Sequence, residues 1–322
     1  MKLTIIIVSW NVKDDLVNCL RSIEEHQPSV PFEIIVVDNA SSDRTVETVK
    51  KNFPNVTVIA NSENKGFAAA NNQAIKIAKG QYLLLLNPDT IVHKNTLDSL
   101  IKVLDENPQA AACGPKILDA NGEYCPSIGY IPTFRSLLYH WTFLRYLGIF
   151  RNHYKQLKRT HLSYDNIADV EQLSGSVLLL RRPVMKEIGL FDENFFMYYE
   201  DVDLCLRIRN AGWKIIFVPD AVITHIGGKS TEQVSEKKKF FLYSSALIFF
   251  RKHRGKFPTF LFSVVFKSGT IIKEIIIILS AIFVGLFYYF SDNRIKQKDI
   301  FEKAKKSAEF LHRYSLKFLF KS

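Results

Sequence analysis

Leu3-Thr4-Ile5-Ile6-Ile7-Val8-Ser9-Trp10-Asn11 is an unbroken apolar run that stops on small and polar residues. A short run rich in Ile and Val suits a strand buried on both faces, as in a parallel sheet. The same pattern returns at residues 32–37, 56–59 and 82–86. Helical spacings lie between these runs: Leu16, Leu20 and Ile23 share one face, and Val46 and Val49 share another. Residues 67–78 carry Ala68, Ala69, Ala70, Ala74 and Ala78, small enough for close packing. Strand–helix–strand alternation predicts an α/β fold: a Rossmann-like, open, mostly parallel sheet flanked by helices. Residues 170–181 return to a strand pattern, and Gly212-Trp213 marks a helix ending and a strand beginning.

In an open α/β sheet, ligands sit outside the carboxyl ends of the strands. Each predicted strand here ends on polar groups. The first ends Ser9-Trp10-Asn11, the second Asp38-Asn39-Ala40-Ser41-Ser42-Asp43 and the fourth Asn87-Pro88-Asp89-Thr90. A single Asp after a strand is ordinarily a turn residue or a helix cap, but three polar strand ends on one edge line a single crevice. Asn64-Lys65-Gly66-Phe67 opens the third helix: Gly66 permits a tight turn, Lys65 can approach a phosphate, and Asn71 and Asn72 follow one turn later. No G-x-G-x-x-G follows the first strand and no G-x-x-x-x-G-K-[ST] occurs, which weighs against dehydrogenases and P-loop enzymes. A glycine-rich loop after the first strand, expected of a nucleotidyltransferase, is also missing.

Further along, Phe195-Phe196-Met197-Tyr198-Tyr199 precedes Glu200-Asp201-Val202-Asp203, with Leu204, Leu206 and Ile208 continuing as a helix. A carboxylate at a helix mouth beside aromatic rings is well placed to be a general base, because the helix end favours its ionised form and the rings exclude competing water.

Residues 237–322 hold 18 of the 43 Lys+Arg and 5 of the 32 Asp+Glu, leaving 25 basic and 27 acidic residues in 1–236. A near-neutral body thus carries a basic tail. That tail contains a charge-free apolar run at residues 275–290 and a shorter one at 257–266. The first is at the short edge of a membrane span, which needs about 17–25 residues. Basic residues bordering apolar segments suit an anionic cytoplasmic leaflet better than nucleic acid. Only Lys2 precedes the first apolar run and no small-residue cleavage site follows it, so no signal peptide is expected. Cys19, Cys113, Cys125 and Cys205 are scattered without metal spacing, as free thiols in a reducing cytoplasm would be. Residues 130–165 are aromatic and basic, with Trp141, Tyr146, Tyr154, Arg151, Lys155, Lys158 and Arg159, and read as a partly helical insert near the mouth of the site.

Taken in order, Ile6-Ile7-Val8-Ser9-Trp10-Asn11, Val36-Val37-Asp38-Asn39-Ala40-Ser41-Ser42-Asp43, Asn64-Lys65-Gly66-Phe67-Ala68, Leu86-Asn87-Pro88-Asp89 and Glu200-Asp201-Val202-Asp203 resemble family 2 glycosyltransferases. Within that family the set is most similar to the rhamnosyltransferase-like enzymes of bacterial surface polysaccharides, over roughly residues 3–230. The resemblance implies a GT-A fold and inverting, metal-assisted transfer from a nucleotide-diphosphate sugar. It implies that Ser9, Asn11, Asp38 and Asp43 surround the nucleoside, and that Lys65, Gly66 and Asn87 border the same pocket. It also makes Asp89 the holder of Mg²⁺ or Mn²⁺, His225 the distal residue of the metal site, and Asp201 the base. Ser174-Gly175-Ser176 is a candidate for small groups near the donor sugar, and Glu200 and Asp203 for orienting the acceptor or the helix.

Many members carry Asp-x-Asp where this chain has Asn87-Pro88-Asp89, which leaves one carboxylate. Mg²⁺ often takes only one or two protein carboxylates. The expected organisation is a catalytic domain at 1–236, with the acceptor-side insert at 130–165, and a membrane-associated helical tail at 237–322. The expected partners are a nucleotide-diphosphate sugar, with dTDP-rhamnose or a UDP-hexose as donor, a lipid-linked glycan acceptor and the cytoplasmic face of the cell membrane, without nucleic acid. A polyprenyl-phosphate sugar synthase is the rival enzyme, and a non-catalytic membrane-tethered binding protein is the rival of another class.

Overall fold

The computed structural model describes residues 1–157, 165–227, 235–288 and 294–320. The chain divides into two compact units, one of Met1–Ile131 with His161–Gln233, the other of Pro132–Thr160 with Val234–Ser322. The strands of the first unit are β1 (Leu3–Ser9), β2 (Phe32–Asp38), β3 (Thr57–Ala60), β4 (Tyr82–Leu86), β5 (Thr90–Val92) and β6 (Ala110–Leu118). They continue as the short β7 (Tyr124–Cys125), β8 (Ile128–Gly129), β9 (Ala168–Asp169) and β10 (Gln172–Leu173), then β11 (Val177–Arg181) and β12 (Lys214–His225). Its helices are α1 (Lys13–Glu25), α2 (Thr45–Asn52), α3 (Gly66–Ile77) and α4 (Thr96–Glu106). The second unit contributes α5 (Phe134–Trp141) and α6 (Arg151–Leu157) before the first unit resumes with α7 (Arg182–Ile188) and α8 (Glu200–Asn210). The last helices, α9 (Ser235–Arg254), α10 (Lys256–Tyr288) and α11 (Arg294–Phe320), belong to the second unit.

The main sheet runs β3-β2-β1-β4-β11-β6-β12-β5. β1 is parallel to β2 and β4, and β2 to β3. β11 then runs antiparallel to both β4 and β6, while β6 and β12 are parallel and β5 closes antiparallel on β12. The sheet is therefore mixed, which corrects the mostly parallel expectation. The reason is physical: a strand buried on both faces shows the same apolar run whichever way it points. The direction of β11 depends on the path of residues 119–176, which hydrophobic periodicity does not encode. The expected strand at 170–181 is likewise two pieces, β10 and β11, parted by Ser174-Gly175-Ser176.

Alternation along β1 sorts its side chains onto two cores. Ile5 and Ile7 pack with Leu16, Cys19, Leu20 and Ile23 of α1 and with Leu97, Leu100 and Leu104 of α4. Ile6 points the other way, to Ala68, Ala70 and Ala74 of α3 and to Leu204, Cys205 and Ile208 of α8. The alanines let α3 sit close on the sheet. All four cysteines are free. Cys205 is buried beneath α8, its Sγ 3.8 Å from the Leu173 carbonyl oxygen, and burial pushes its thiol up to about 12.

In the second unit, Phe134 of α5 stacks on Phe250 of α9 at 4.3 Å, and Trp141 meets Tyr243 edge-on at 5.4 Å. Pro132–Thr160 thus belongs with the C-terminal helices, and Phe134 and Trp141, both half-buried, pack against α9 while Tyr146 is exposed. Lys158, Arg159 and the last two residues of the apolar run 275–290 lie outside the described residues. Among the described residues, no helix is long and apolar enough to cross a membrane.

The corner between α3 and β4 is tightly closed. The Gly80 amide donates to the Thr4 hydroxyl at 2.8 Å, and a Cβ on Gly80 would stand 2.4 Å from the Thr4 nitrogen. Overpacking of this kind costs about 1–3 kcal/mol. Gly80→Ala should lower the urea midpoint correspondingly, and an unchanged midpoint would show that this corner is free to move.

Candidate active site

The parallel register places Ser9 opposite Asp38 and Ile7 opposite Leu86, so three strand ends share one edge of the sheet. Ser9 and Asp38 are buried there. The Asp38 Oδ2 accepts from the Ser41 amide at 2.9 Å, while Asp38 Oδ1 and the Ser9 hydroxyl have no hydrogen-bond partner among the described residues. A buried polar atom left in that state costs about 1–3 kcal/mol, so it favours any ligand that supplies a partner. Asn11, at φ 52°, accepts from the Ser42 amide and its own amide donates to the Ser41 hydroxyl, stitching the first strand-end loop to the second.

Asp43 lies in the same loop but turns both oxygens to backbone amides, those of Lys13 and Thr45. It thereby ties the first residues of α1 and α2 to the strand-end loop. Gly66, at φ 83°, presents its carbonyl to the Asn39 side chain, and a Cβ there would strike the Phe196 carbonyl oxygen at 2.4 Å. Lys65 beside it is exposed. Asn72 is buried and clamps the loop after α7, donating to the Phe191 carbonyl and accepting from its amide, while Asn71 bonds within α3. Both asparagines are buried and bonded within the fold.

Asp89 and His225 are brought together by β5, which pairs Thr90 with His225 across β12. The buried Asp89 Oδ1 lies 3.1 Å from His225 Nε2, and the Ile226 amide donates to the Asp89 carbonyl. The motif that follows, Gly228-Lys229-Ser230, lies outside the described residues. Among the described residues no three His, Cys, Asp or Glu side chains gather as a metal site. Two protein ligands are on offer.

Asp201 stands in the first turn of α8, after Tyr198 and Tyr199 in left-handed backbone at φ 68° and 67°. Its Oδ2 accepts from the Gly175 amide at 3.0 Å and its Oδ1 from the Val202 amide at 2.8 Å. A Cβ on Gly175 would stand 3.1 Å from the Asp201 Cβ, so a larger residue there would have to push Asp201 aside by a few tenths of an ångström. Burial raises the Asp201 carboxyl above the usual aspartate range, and the Gly175 and Val202 amides oppose that rise. The neighbouring Glu200 is pushed well above the glutamate range by burial and then by the charge of Asp201. Its Oε2 has no partner among the described residues. Asp203 is buried and paired with Arg207 at 2.8 Å, whose guanidinium also holds the carbonyls of Ile188, Gly189 and Leu190. That residue fastens α8 to the loop after α7.

The two carboxylate-bearing loops are tied by short links: the Asn87 amide donates to the Ser176 carbonyl, one residue from Gly175. The pairing of the Gly175 amide with Asp201 is not legible in the sequence, although the small Ser174-Gly175-Ser176 triplet is its signal. Chemically, the edge offers an unsatisfied carboxylate and hydroxyl, a carboxylate–imidazole pair, and a carboxylate of raised basicity.

Comparison with known proteins bears on this arrangement. The model of a family described as "Glycosyl transferase family 2" matches residues 4–168. The chain is 32% identical over 214 residues to an N-acetylglucosaminyl-diphospho-decaprenol L-rhamnosyltransferase of Mycobacterium tuberculosis, covering 62% of this chain and 68% of the relative. It is 27% identical over 226 residues to rhamnosyltransferase WbbL of Escherichia coli K12, covering 67% and 80%. Among solved structures, it is similar to the mannosyltransferase PcManGT of Pyrobaculum calidifontis in complex with GDP-Man and Mn²⁺. That match has a TM-score of 0.57 at 16% identity and covers 100% of this chain and 88% of that one. It is also similar to GalNAc-T7 with UDP, GalNAc and Mn²⁺, with a TM-score of 0.53 at 19% identity over 70% and 44% of the two chains. These likenesses show a GT-A-like α/β fold with a mixed central sheet flanked by helices.

The raised Glu200 makes stability depend on pH. The folded chain keeps this proton at pH values where the unfolded chain, near the ordinary glutamate value of about 4.3, has released it. Glu200 therefore erodes stability as pH rises through that window. Glu200→Gln keeps the shape and the neutral charge, so it should gain stability over the parent as pH rises above this point and gain none below it. Denaturation at a series of pH values reads the difference, and a gap that does not change with pH would show that Glu200 titrates normally.

Proposed function

The chain belongs to glycosyl transferase family 2, and on that premise we propose that it is an inverting glycosyltransferase carrying a sugar from a nucleotide diphosphate to a lipid-linked glycan at the cytoplasmic face of the cell membrane. One observation carries the reading: Asp89, in the turn after β4, and Asp201, in the first turn of α8, are tied to one another through the Asn87–Ser176 and Gly175–Asp201 hydrogen bonds. Displacement at an anomeric carbon needs charge neutralised on the leaving diphosphate and a proton removed from the attacking hydroxyl, on opposite sides of the sugar. Two separately mounted carboxylates suit those two tasks.

In this reading Asp201 takes the acceptor hydroxyl's proton. Its raised basicity strengthens it for the task, and the Gly175 and Val202 amides fix which way the carboxylate faces. Glu200, held neutral beside it, keeps a second negative charge away from the incoming oxygen. Asp38 Oδ1 and the Ser9 hydroxyl are matched to the N–H and O–H groups of a nucleoside, with Asn11 shaping that loop and Lys65 approaching phosphate. A divalent cation would be held by Asp89 and His225, a carboxylate oxygen and an imidazole nitrogen facing each other at 3.1 Å. Diphosphate oxygens and water would complete its shell, and when bound it supplies positive charge to the leaving diphosphate. The decaprenol-linked acceptor in the name of the Mycobacterium tuberculosis relative, and the rhamnosyl transfer in both relatives' names, support a lipid-linked acceptor and dTDP-rhamnose as the donor to test first. Family members that make polyprenyl-phosphate sugars need little help from a base, and here the base is the best-built part of the site.

Asp201→Asn should cut transfer by about 10²–10⁴ while donor binding persists. Turnover and donor-induced thermal stabilisation, measured on the same preparation, separate the two. Near-parental turnover by a folded mutant would remove Asp201 from the mechanism. Asp89→Ala should weaken metal-dependent donor binding, and parental activity in excess EDTA would remove the cation.

A further inference from the structure

The second unit presents a helix that carries an apolar stripe on its exposed face. Leu261, Val264, Val265, Ile272, Ile275, Leu279, Ile282 and Phe283 of α10 are all exposed, Leu279 at 57% and Phe283 at 80%. Their spacing of three, four and seven residues puts them on one face. The stripe extends about 33 Å at 1.5 Å per residue. Its one polar member, Ser268, returns its hydroxyl to the Val264 carbonyl of the same helix. Two charged residues of this helix face inward. Lys273 and Glu274 are 5% and 0% exposed, with Thr270 buried beside them. Lys239 and the Tyr243 hydroxyl donate to Glu274, and Lys273 donates to Tyr243. A helix bathed in water keeps its outward face polar, whereas this one turns an apolar stripe outward while Phe262 and Phe266 fill its inward face.

We propose that the outward face of α10 is a membrane-docking surface: the helix lies in the plane of an anionic lipid leaflet, its stripe at the acyl boundary and the basic residues around it on lipid phosphates. Charge complementarity singles out this occupant. Arg251, Lys252 and Arg254 are exposed at the corner where α9 leads into α10, a few residues from Phe260 and Leu261. Lys305 and Lys317 are exposed on the adjoining α11, which adds Leu316 and Phe320 to the apolar surface. Residues 237–322 together hold 18 basic against 5 acidic residues. A second copy of the chain would bring two such basic rims together, whereas anionic lipid neutralises them. The geometry is interfacial, because among the described residues no helix is long and apolar enough to cross. The surface is argued from exposure and charge, and it goes beyond the sugar-transfer reading without depending on it.

The test uses the full chain with vesicles of phosphatidylglycerol and phosphatidylcholine, and with vesicles of phosphatidylcholine alone. The parent should partition onto the mixed vesicles and be weakened by salt. Leu261→Asn, Ile272→Asn and Leu279→Asn combined should reduce partitioning at least tenfold with no loss of thermal stability, since these side chains are exposed. Arg251→Ala with Arg254→Ala should weaken binding to mixed vesicles and leave binding to neutral ones unchanged. The proposal is overturned if the triple variant partitions as the parent does. It is equally overturned if light scattering in lipid-free buffer shows a dimer that the triple variant dissolves while vesicle binding is unaltered. Donor-induced stabilisation, measured alongside, reports on the nucleotide site and separates a failure of this surface from a failure of the catalytic reading.

Discussion

Val177 pairs with Leu86 because β11 enters the sheet antiparallel to β4, and that reversal organises the catalytic edge. A parallel strand in that place would deliver its carboxyl end beside Leu86. The antiparallel one delivers its amino end, and with it the loop Ser174-Gly175-Ser176. From there the Ser176 carbonyl receives the Asn87 amide and the Gly175 amide reaches Asp201. The second reversal, β5 against β12, does the same for Asp89 and His225. Each carboxylate is thus held by a strand running against the direction of β1, β2 and β4. Main-chain hydrogen bonds, rather than long side chains, set the positions.

Much of this arrangement is legible in the amino-acid sequence. β1, β2 and β4 announce themselves as apolar runs ending on polar residues, and their shared edge follows from the α/β pattern. Asp201 stands out by acid density beside aromatics. Strand direction is not legible, since Val177-Leu178-Leu179-Leu180 is equally apolar in both senses. Nor is the pairing of Asp43 and Asn72 with backbone amides: a polar side chain after a strand or on a helix looks alike whatever it meets. Gly175 and Asp201 are partners across 26 residues of chain, and no local pattern links them. The aromatics of the insert, which suggest a contact surface, are largely packing against α9 and α10.

The site is also where the fold carries its local costs. Tyr198 and Tyr199 hold left-handed backbone, a conformation that costs about 1–3 kcal/mol per non-glycine residue. Ser9, Asp38 and Glu200 each bury an oxygen without a partner among the described residues. The rest of the sheet offsets these through close packing on both faces, with α3 drawn in by its alanines and α8 fastened by the Asp203–Arg207 pair. Removing such strain by mutation trades function for stability, which is the usual pattern where a site is preorganised.

Cys205 lies on the helix that carries Asp201, one turn along and on its sheet-facing side, where its thiol is both inaccessible and held in the neutral form. A thiol in that condition reacts with an alkylating reagent only while α8 is lifted from β10. The chain therefore contains its own clock for the opening of the helix that carries Asp201. Cys125, half-buried on β7, provides an internal reference on another strand of the same unit. Anything that holds α8 down on the sheet slows the one thiol without slowing the other.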